Sequence, residues 1–196
     1  MLHPAFARTQ TLRLRDGEEH VVMRMVRAAD VEVLQSYLRG LSSVSRYYRF
    51  FGPIAELPPR EIDRLLHLDG IRQAALIVCA FADGARQVVG EARYAIAPDG
   101  EAEFALSVAE DWRHRGLGSL LIADIERRVR RLGARLLQAD VLYANDAMRR
   151  LAHKAGFMPA AVPNDARLIR IVKDLTMVPA ALRREQQTQS ALAKAA

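Results

Sequence analysis

The spacing of apolar residues changes several times along the chain, and each change predicts an element. Across His20 to Arg27, Val21, Met23 and Met25 alternate with Val22, Arg24 and Val26, the period of a strand. Asp30 then stands where it can cap a helix whose apolar positions are Val31, Leu34, Leu38 and Leu41. Val44, Tyr47, Tyr48, Phe50 and Phe51 give Ser42 to Phe51 a short helical or irregular aromatic character, and Pro58-Pro59 suits the first turn of a helix through Ile62, Leu65, Leu66 and Leu68. The middle of the chain is strand-like. Ala74 to Ala82 is a continuous apolar run, Val88 to Ala97 and Ala102 to Val108 follow, and Asp83-Gly84 and Pro98-Asp99-Gly100 are the turns between them. Turns this short predict antiparallel hairpins.

After Trp112 the period becomes helical. Leu117, Leu121, Ile125, Val129 and Leu132 form one stripe that stops at Gly133, and Leu136 to Tyr143 is again a strand. A helix between the strand ending at Val108 and the one beginning at Leu136 predicts a right-handed crossover with those strands parallel. Asn145 caps a further helix through Met148, Leu151 and Ala152 to Gly156, and Arg167 to Leu175 is a final alternating strand. The sum is a mixed α/β (α+β) domain over residues 20–178. Residues 1–19 lack a sustained period and read as an arm, and residues 179–196 read as a tail without an apolar face.

Composition narrows the class. With 196 residues, 51% hydrophobic and 27% charged, the chain has the size and apolar content of one folded domain. Its longest uncharged apolar stretch, Gln73 to Ala82, is well short of the roughly 18 to 20 residues of a membrane helix, and the N-terminus lacks a signal pattern, so a cytoplasmic protein without membrane contact is expected. Cys79 stands alone in an apolar strand, which predicts a small buried thiol and neither a disulfide nor a zinc cluster. His20, His67 and His153 also lack metal-ligand spacing. A formal charge of +6 favours anionic partners. The cluster Arg127, Arg128, Arg130, Arg131 and Arg135 is expected as a solvated helix face, and 6% aromatics with no recognisable module argue against nucleic acid.

The chemistry concentrates between Glu101 and Phe157. Arg113-His114-Arg115-Gly116-Leu117-Gly118-Ser119 lies between a strand and a helix, where glycines let backbone N–H groups approach an anion and the helix dipole adds positive potential. The same glycines also suit a tightly packed turn, and their spacing leaves both readings open. It is neither a nucleotide-triphosphate loop nor a dinucleotide fingerprint, since the Lys-Ser/Thr pair and the third glycine are missing.

Arg113-x-x-Gly116-x-Gly118, preceded by Val108-Ala109-Glu110-Asp111-Trp112 and followed by Asn145 and Gly156-Phe157, resembles the acyl-CoA-binding core of the GNAT superfamily of N-acetyltransferases over roughly residues 20–178. The resemblance implies a mixed, mostly antiparallel sheet flanked by helices and splayed around an acyl-CoA site. It places pantetheine between the strands ending near Val108 and beginning near Leu136, and pyrophosphate on the N–H groups of Arg113, His114, Arg115, Gly116, Leu117, Gly118 and Ser119. Asn145 would both cap its helix and bond the cofactor, acetyl-CoA. Upstream, Leu41-Ser42-Ser43-Val44-Ser45-Arg46-Tyr47-Tyr48-Arg49-Phe50-Phe51 and Leu57-Pro58-Pro59-Arg60-Glu61 resemble the acetyltransferase domains of bacterial protein lysine acetyltransferases.

Acetyl transfer needs a neutral amine. At a lysine pKa near 10.4 only about 0.04% is neutral at pH 7, a deprotonation cost of roughly 4.6 kcal/mol. Glu103 shares a strand face with Ala105 and Ser107 and matches the position of the glutamate base in related protein acetyltransferases; the other role open to it is an exposed or ion-paired strand glutamate. Glu101 and Glu91 are rivals. A backbone N–H near Val108 is the expected oxyanion donor. Where many family members have a tyrosine as general acid, four residues before Gly156, this chain has Ala152. Asp140 either lines the acceptor cleft or pairs with an arginine. Few carboxylates and many arginines around the cleft favour a protein lysine as acceptor. The alternatives are a small amine, such as a polyamine, amino acid or antibiotic, and a non-catalytic acyl-CoA-binding module.

Overall fold

The computed structural model describes residues 8–14, 17–82 and 85–176, with side chains described over 21–81 and 86–176. The tail 179–196 and the Asp83-Gly84 turn lie outside the described residues. Among the described residues eight strands form one sheet: β1 (Arg8–Leu14), β2 (Gly17–Met25), β3 (Gln73–Ala82), β4 (Ala85–Ile96), β5 (Glu101–Val108), β6 (Leu136–Leu142), β7 (Met158–Ala161) and β8 (Leu168–Asp174). Their spatial order is β1-β2-β3-β4-β5-β6-β8-β7. Every neighbouring pair is antiparallel except β5 and β6, which are parallel across the helical crossover, as the chain order predicts.

Helices cover both faces. α1 (Val31–Gly40), α2 (Ser43–Phe50) and α3 (Pro59–Leu66) lie on one side, α4 (Leu117–Arg131) and α5 (Asp146–Lys154) on the other. Leu34, Tyr37, Leu38 and Leu41 meet Ala75, Ile77 and Cys79, and the alternate residues Ala74, Leu76 and Val78 join the core of Leu121, Ile122, Ile125 and Val129. That explains the uninterrupted apolar run of β3, because a strand covered on both faces has no solvent-facing positions. Burial pushes the Cys79 thiol pKa up, consistent with an inert core thiol.

Three expectations need correction, and one strand was not foreseen. Residues 8–14 of the supposed arm form β1, paired with β2 from Arg8 opposite Met23 to Leu14 opposite Gly17. Asp30 precedes α1 but does not cap it with its side chain. Its carboxylate instead accepts from Arg24 at 2.6 and 2.7 Å and from the Arg27 N–H at 2.7 Å. Arg128 is not solvated: it is 5% exposed and bonded to Asp124, itself 1% exposed, because α4 buries a wider face than its apolar stripe and an i,i+4 pair enters neutralised. β7 has no alternation to reveal it, since all four residues are exposed, and its Pro159 is tolerated on an edge strand.

Candidate active site

The parallel ladder between β5 and β6 lasts three residues, Glu101 to Glu103 opposite Leu136 to Gln138, and then the strands part. The Ala109 N–H donates to Val89, so alternation turns the N–H and C=O of Leu106 and Val108 toward β6. The Tyr143 N–H donates to Arg167, so Asp140 and Leu142 turn theirs toward β5. Two rows of backbone polar groups thus face a gap with no strand in it, a fit for an extended ligand carrying amides.

The glycine turn lies at the open end of this gap. Gly116 is the N-cap of α4 with φ 97°, a left-handed conformation that favours glycine, and a Cβ there would point into open space. The first helical N–H to find a partner is that of Leu120, which donates to the Gly116 carbonyl. Leu117, Gly118 and Ser119 therefore present N–H groups that no capping side chain satisfies, as anion binding requires. Gly118 has a different reason: a Cβ would stand 2.8 Å from Leu151 Cδ2, so the glycine permits α4 to approach α5. The packing reading holds for Gly118, and Gly116 leaves the anion reading open.

Arg113 is held by its neighbours. Its guanidinium donates to the Val108 carbonyl at 3.3 Å, to Ser45 Oγ at 2.7 Å and to Glu110 at 3.1 Å. Arg115 lies 5.0 Å over the Trp112 ring, and His114, at φ 62°, is exposed beside the turn. Asn145 caps α5 by accepting from the Met148 N–H at 3.1 Å.

A cleft of about 1380 Å³ unites every candidate: Glu103, Val108, the whole of Arg113 to Ser119, and Asn145 all line it. That exceeds the roughly 300–1,000 Å³ of a typical small-ligand pocket and leaves room for a large cofactor with an acceptor path. Sequence reading missed Arg150 and Lys154, which line the same cleft from α5; their spacing of four, one helix face, was the available signal. It also missed Tyr48, the one tyrosine among the cleft's lining residues.

The carboxylates separate by their partners. Glu91 is buried between Arg49, at 3.2 Å, and Arg93. Burial works to raise its pKa, but the two guanidinium groups outweigh it and hold the pKa below the usual value, so it stays ionised and weakly basic. Glu101 accepts from Gln138 at 3.1 Å and does not line the cleft. Of the lining carboxylates, Glu61 pairs with Arg64 and Arg93, and Asp140 pairs with Arg170. Glu103 is exposed and has neither ion pair nor hydrogen bond among the described residues. Asp140 therefore fills both roles considered for it. Ala152 is 1% exposed, in the core beneath α5.

A family profile described as the acetyltransferase (GNAT) family matches residues 41–157. An acetyltransferase of Pseudomonas aeruginosa is 32% identical over 152 residues, which are 77% of this chain and 82% of that protein. The GNAT domain of S. lividans PAT superposes with a TM-score of 0.75 and 29% identity over 89% of this chain and 99% of that one. The structure of yncA from Salmonella typhimurium with its cofactor acetyl-CoA shares the fold, with a TM-score of 0.64 at 18% identity over 82% of this chain and 96% of that one. A profile covering more than half of the sequence, a relative this similar and a sheet splayed beside the glycine turn lead to one conclusion: the chain belongs to the GNAT family of acetyl-CoA-dependent acetyltransferases.

Proposed function

We propose that the enzyme acetylates lysine side chains of proteins, with Glu103 as the base. The observation that carries this reading is the pairing of the cleft carboxylates. Glu61 and Asp140 are neutralised by arginines, so a polycationic small amine would find one free carboxylate, where holding several ammonium groups calls for several. A protein lysine needs one. Its flanking residues supply contact, and Arg60 and Arg64 at the rim favour a lysine set among acidic neighbours. The similarity to the GNAT domain of S. lividans PAT, a protein acetyltransferase, supports a protein acceptor.

Acetyl-CoA supplies the activated acyl thioester. The N–H groups of Leu117, Gly118 and Ser119 hold its pyrophosphate at the helix N-terminus. Leu106, Asp140 and the Leu142 N–H bond the pantetheine amides across the gap. Glu103 accepts the proton of the incoming ammonium, directly or through water, and the Val108 N–H faces the position where oxyanion charge develops. No tyrosine replaces Ala152 at its position. A thiol pKa near 8.5 lets the thiolate leave, and the second proton shed by the amine nitrogen reaches it through water.

Incubation with cytosolic proteins and labelled acetyl-CoA tests the assignment. A limited set of labelled lysines is expected, fewer as salt rises, with spermidine and aminoglycosides poor acceptors. Efficient turnover of a free small amine without protein labelling would overturn it.

A further inference from the structure

α2 crosses the open end of the gap between β5 and β6 and is tied to both sides. At its start the Ser42 N–H and Oγ donate to Glu110 at 3.2 and 2.8 Å, Ser45 Oγ donates to the same carboxylate oxygen, and Arg113 links Ser45 to the Val108 carbonyl. All of these partners extend from β5. Near its other end the Tyr48 hydroxyl donates to the Ala144 carbonyl at 3.2 Å, just beyond β6. From Ser42 to Tyr48 the chain advances about 9 Å at the helical rise. Two strands with room for one extended chain between them stand about 9.5 Å apart.

We propose that α2 is a strut that holds the gap at the width of one extended chain, with Glu110 and Tyr48 as positioning residues for the pantetheine arm; this rests on the acetyl-CoA site described under Proposed function. The physical need is plain. The N–H and C=O groups of Leu106 and Asp140 and the N–H groups of Val108 and Leu142 that face the gap gain by pairing across it, which draws the strands together and closes the site; the Val108 and Leu142 carbonyls already accept from Arg113 and from the Asn145 N–H. A helix fixed to both sides opposes that closure before any ligand arrives, so the arm enters a preformed slot and less affinity is lost to ordering it. Glu110 suits its end of the strut, because a carboxylate at a helix N-terminus meets the positive end of the dipole. The exposed Val44 of this helix and Phe51 at its C-cap line the cleft, so the element that sets the slot also contributes apolar surface to it.

The strut acts on pantetheine and not on the nucleotide, and this separates it from a general structural role. Calorimetric titration of Glu110→Gln, Tyr48→Phe and the double variant with acetyl-CoA and with 3′-phospho-ADP, which lacks the arm, reads the difference. The double variant is expected to bind acetyl-CoA about tenfold more weakly, the equivalent of one net hydrogen bond, and to bind 3′-phospho-ADP as the unchanged protein does. Each single variant, which removes one group without changing bulk, should show part of the loss. Equal weakening toward both ligands, or no weakening toward acetyl-CoA, would overturn the strut. If the unchanged protein fails to bind acetyl-CoA at all, the cofactor reading falls first and takes the strut with it.

Discussion

Arg170 meets Asp140 side-on across β8 and β6, its Nε and Nη2 at 2.6 and 2.8 Å from the two carboxylate oxygens. This bidentate pair commits Asp140, one of the carboxylates lining the cleft, to an arginine. With Asp140 committed, Glu103 remains, and Glu103→Gln keeps its size but not its basicity. Turnover near pH 7 should fall by roughly 10²-fold, with acetyl-CoA affinity little changed. Raising the pH should restore part of the loss, because more of the acceptor amine is then already neutral. A pH profile of kcat checks both; full activity at pH 7 would pass the role to water.

The two glycines should fail differently. Gly116→Val places a β-branched residue at φ 97°, with a cost of about 1–2 kcal/mol and weaker acetyl-CoA binding even though its Cβ meets nothing. Gly118→Ala meets Leu151, so its defect should be relieved by a smaller partner residue. Thermal melts of Gly118→Ala, Leu151→Ala and the double variant form the cycle, with a favourable coupling of about 0.5 kcal/mol or more expected. Strict additivity would contradict the contact.

Arg150 and Lys154 stand on the cleft face of α5 opposite the glycine turn, with no carboxylate partner among the described residues. Their place near the turn suits the 3′-phosphate of the cofactor. Replacing both with Gln should weaken acetyl-CoA binding by about tenfold, an effect that shrinks with added salt. Dephospho-acetyl-CoA, without that phosphate, should bind both proteins alike. An equal loss for the two ligands would place the pair elsewhere along the cofactor.

Glu110 makes the contact between α2 and the β5 side sensitive to acid. Desolvation works to raise its pKa, but hydrogen bonds from Ser45 and Ser42 dominate and lower it to about 2. A carboxylate whose folded pKa lies below its unfolded value near 4.3 stabilises the fold above that pH, and the contribution fades as pH falls toward about 2. The stability difference between the unchanged protein and Glu110→Gln should therefore be constant from neutral pH to about pH 5 and shrink between pH 4 and pH 2. Urea midpoints across that range provide the measurement, and a difference constant to pH 2 would contradict the assignment.

Much of this enzyme was legible in its sequence because the informative signals were local. The period of β3 and of α4, the cap at Asn145, and the glycines that end helices or open the turn each depend on residues within a few positions of one another. The chain order of strands and crossover helix even predicted the parallel pair at which the sheet parts. What the sequence did not decide was who stands opposite whom. Spacing put Arg128 on a solvated helix face and gave no measure of how much sheet α4 would cover, so its burial with Asp124 was out of reach. β1 and β7 take their strand form from ladders with β2 and β8 and carry little period of their own. The candidate site divides in the same way. The strand face of Glu103 follows from alternation, whereas its freedom depends on Arg170 reaching Asp140 across thirty residues and on Arg64 and Arg93 holding Glu61. Likewise, Tyr48 gains its role from the carbonyl of Ala144, ninety-six residues away, since long-range pairing is set by how whole elements pack and leaves no local periodicity to read.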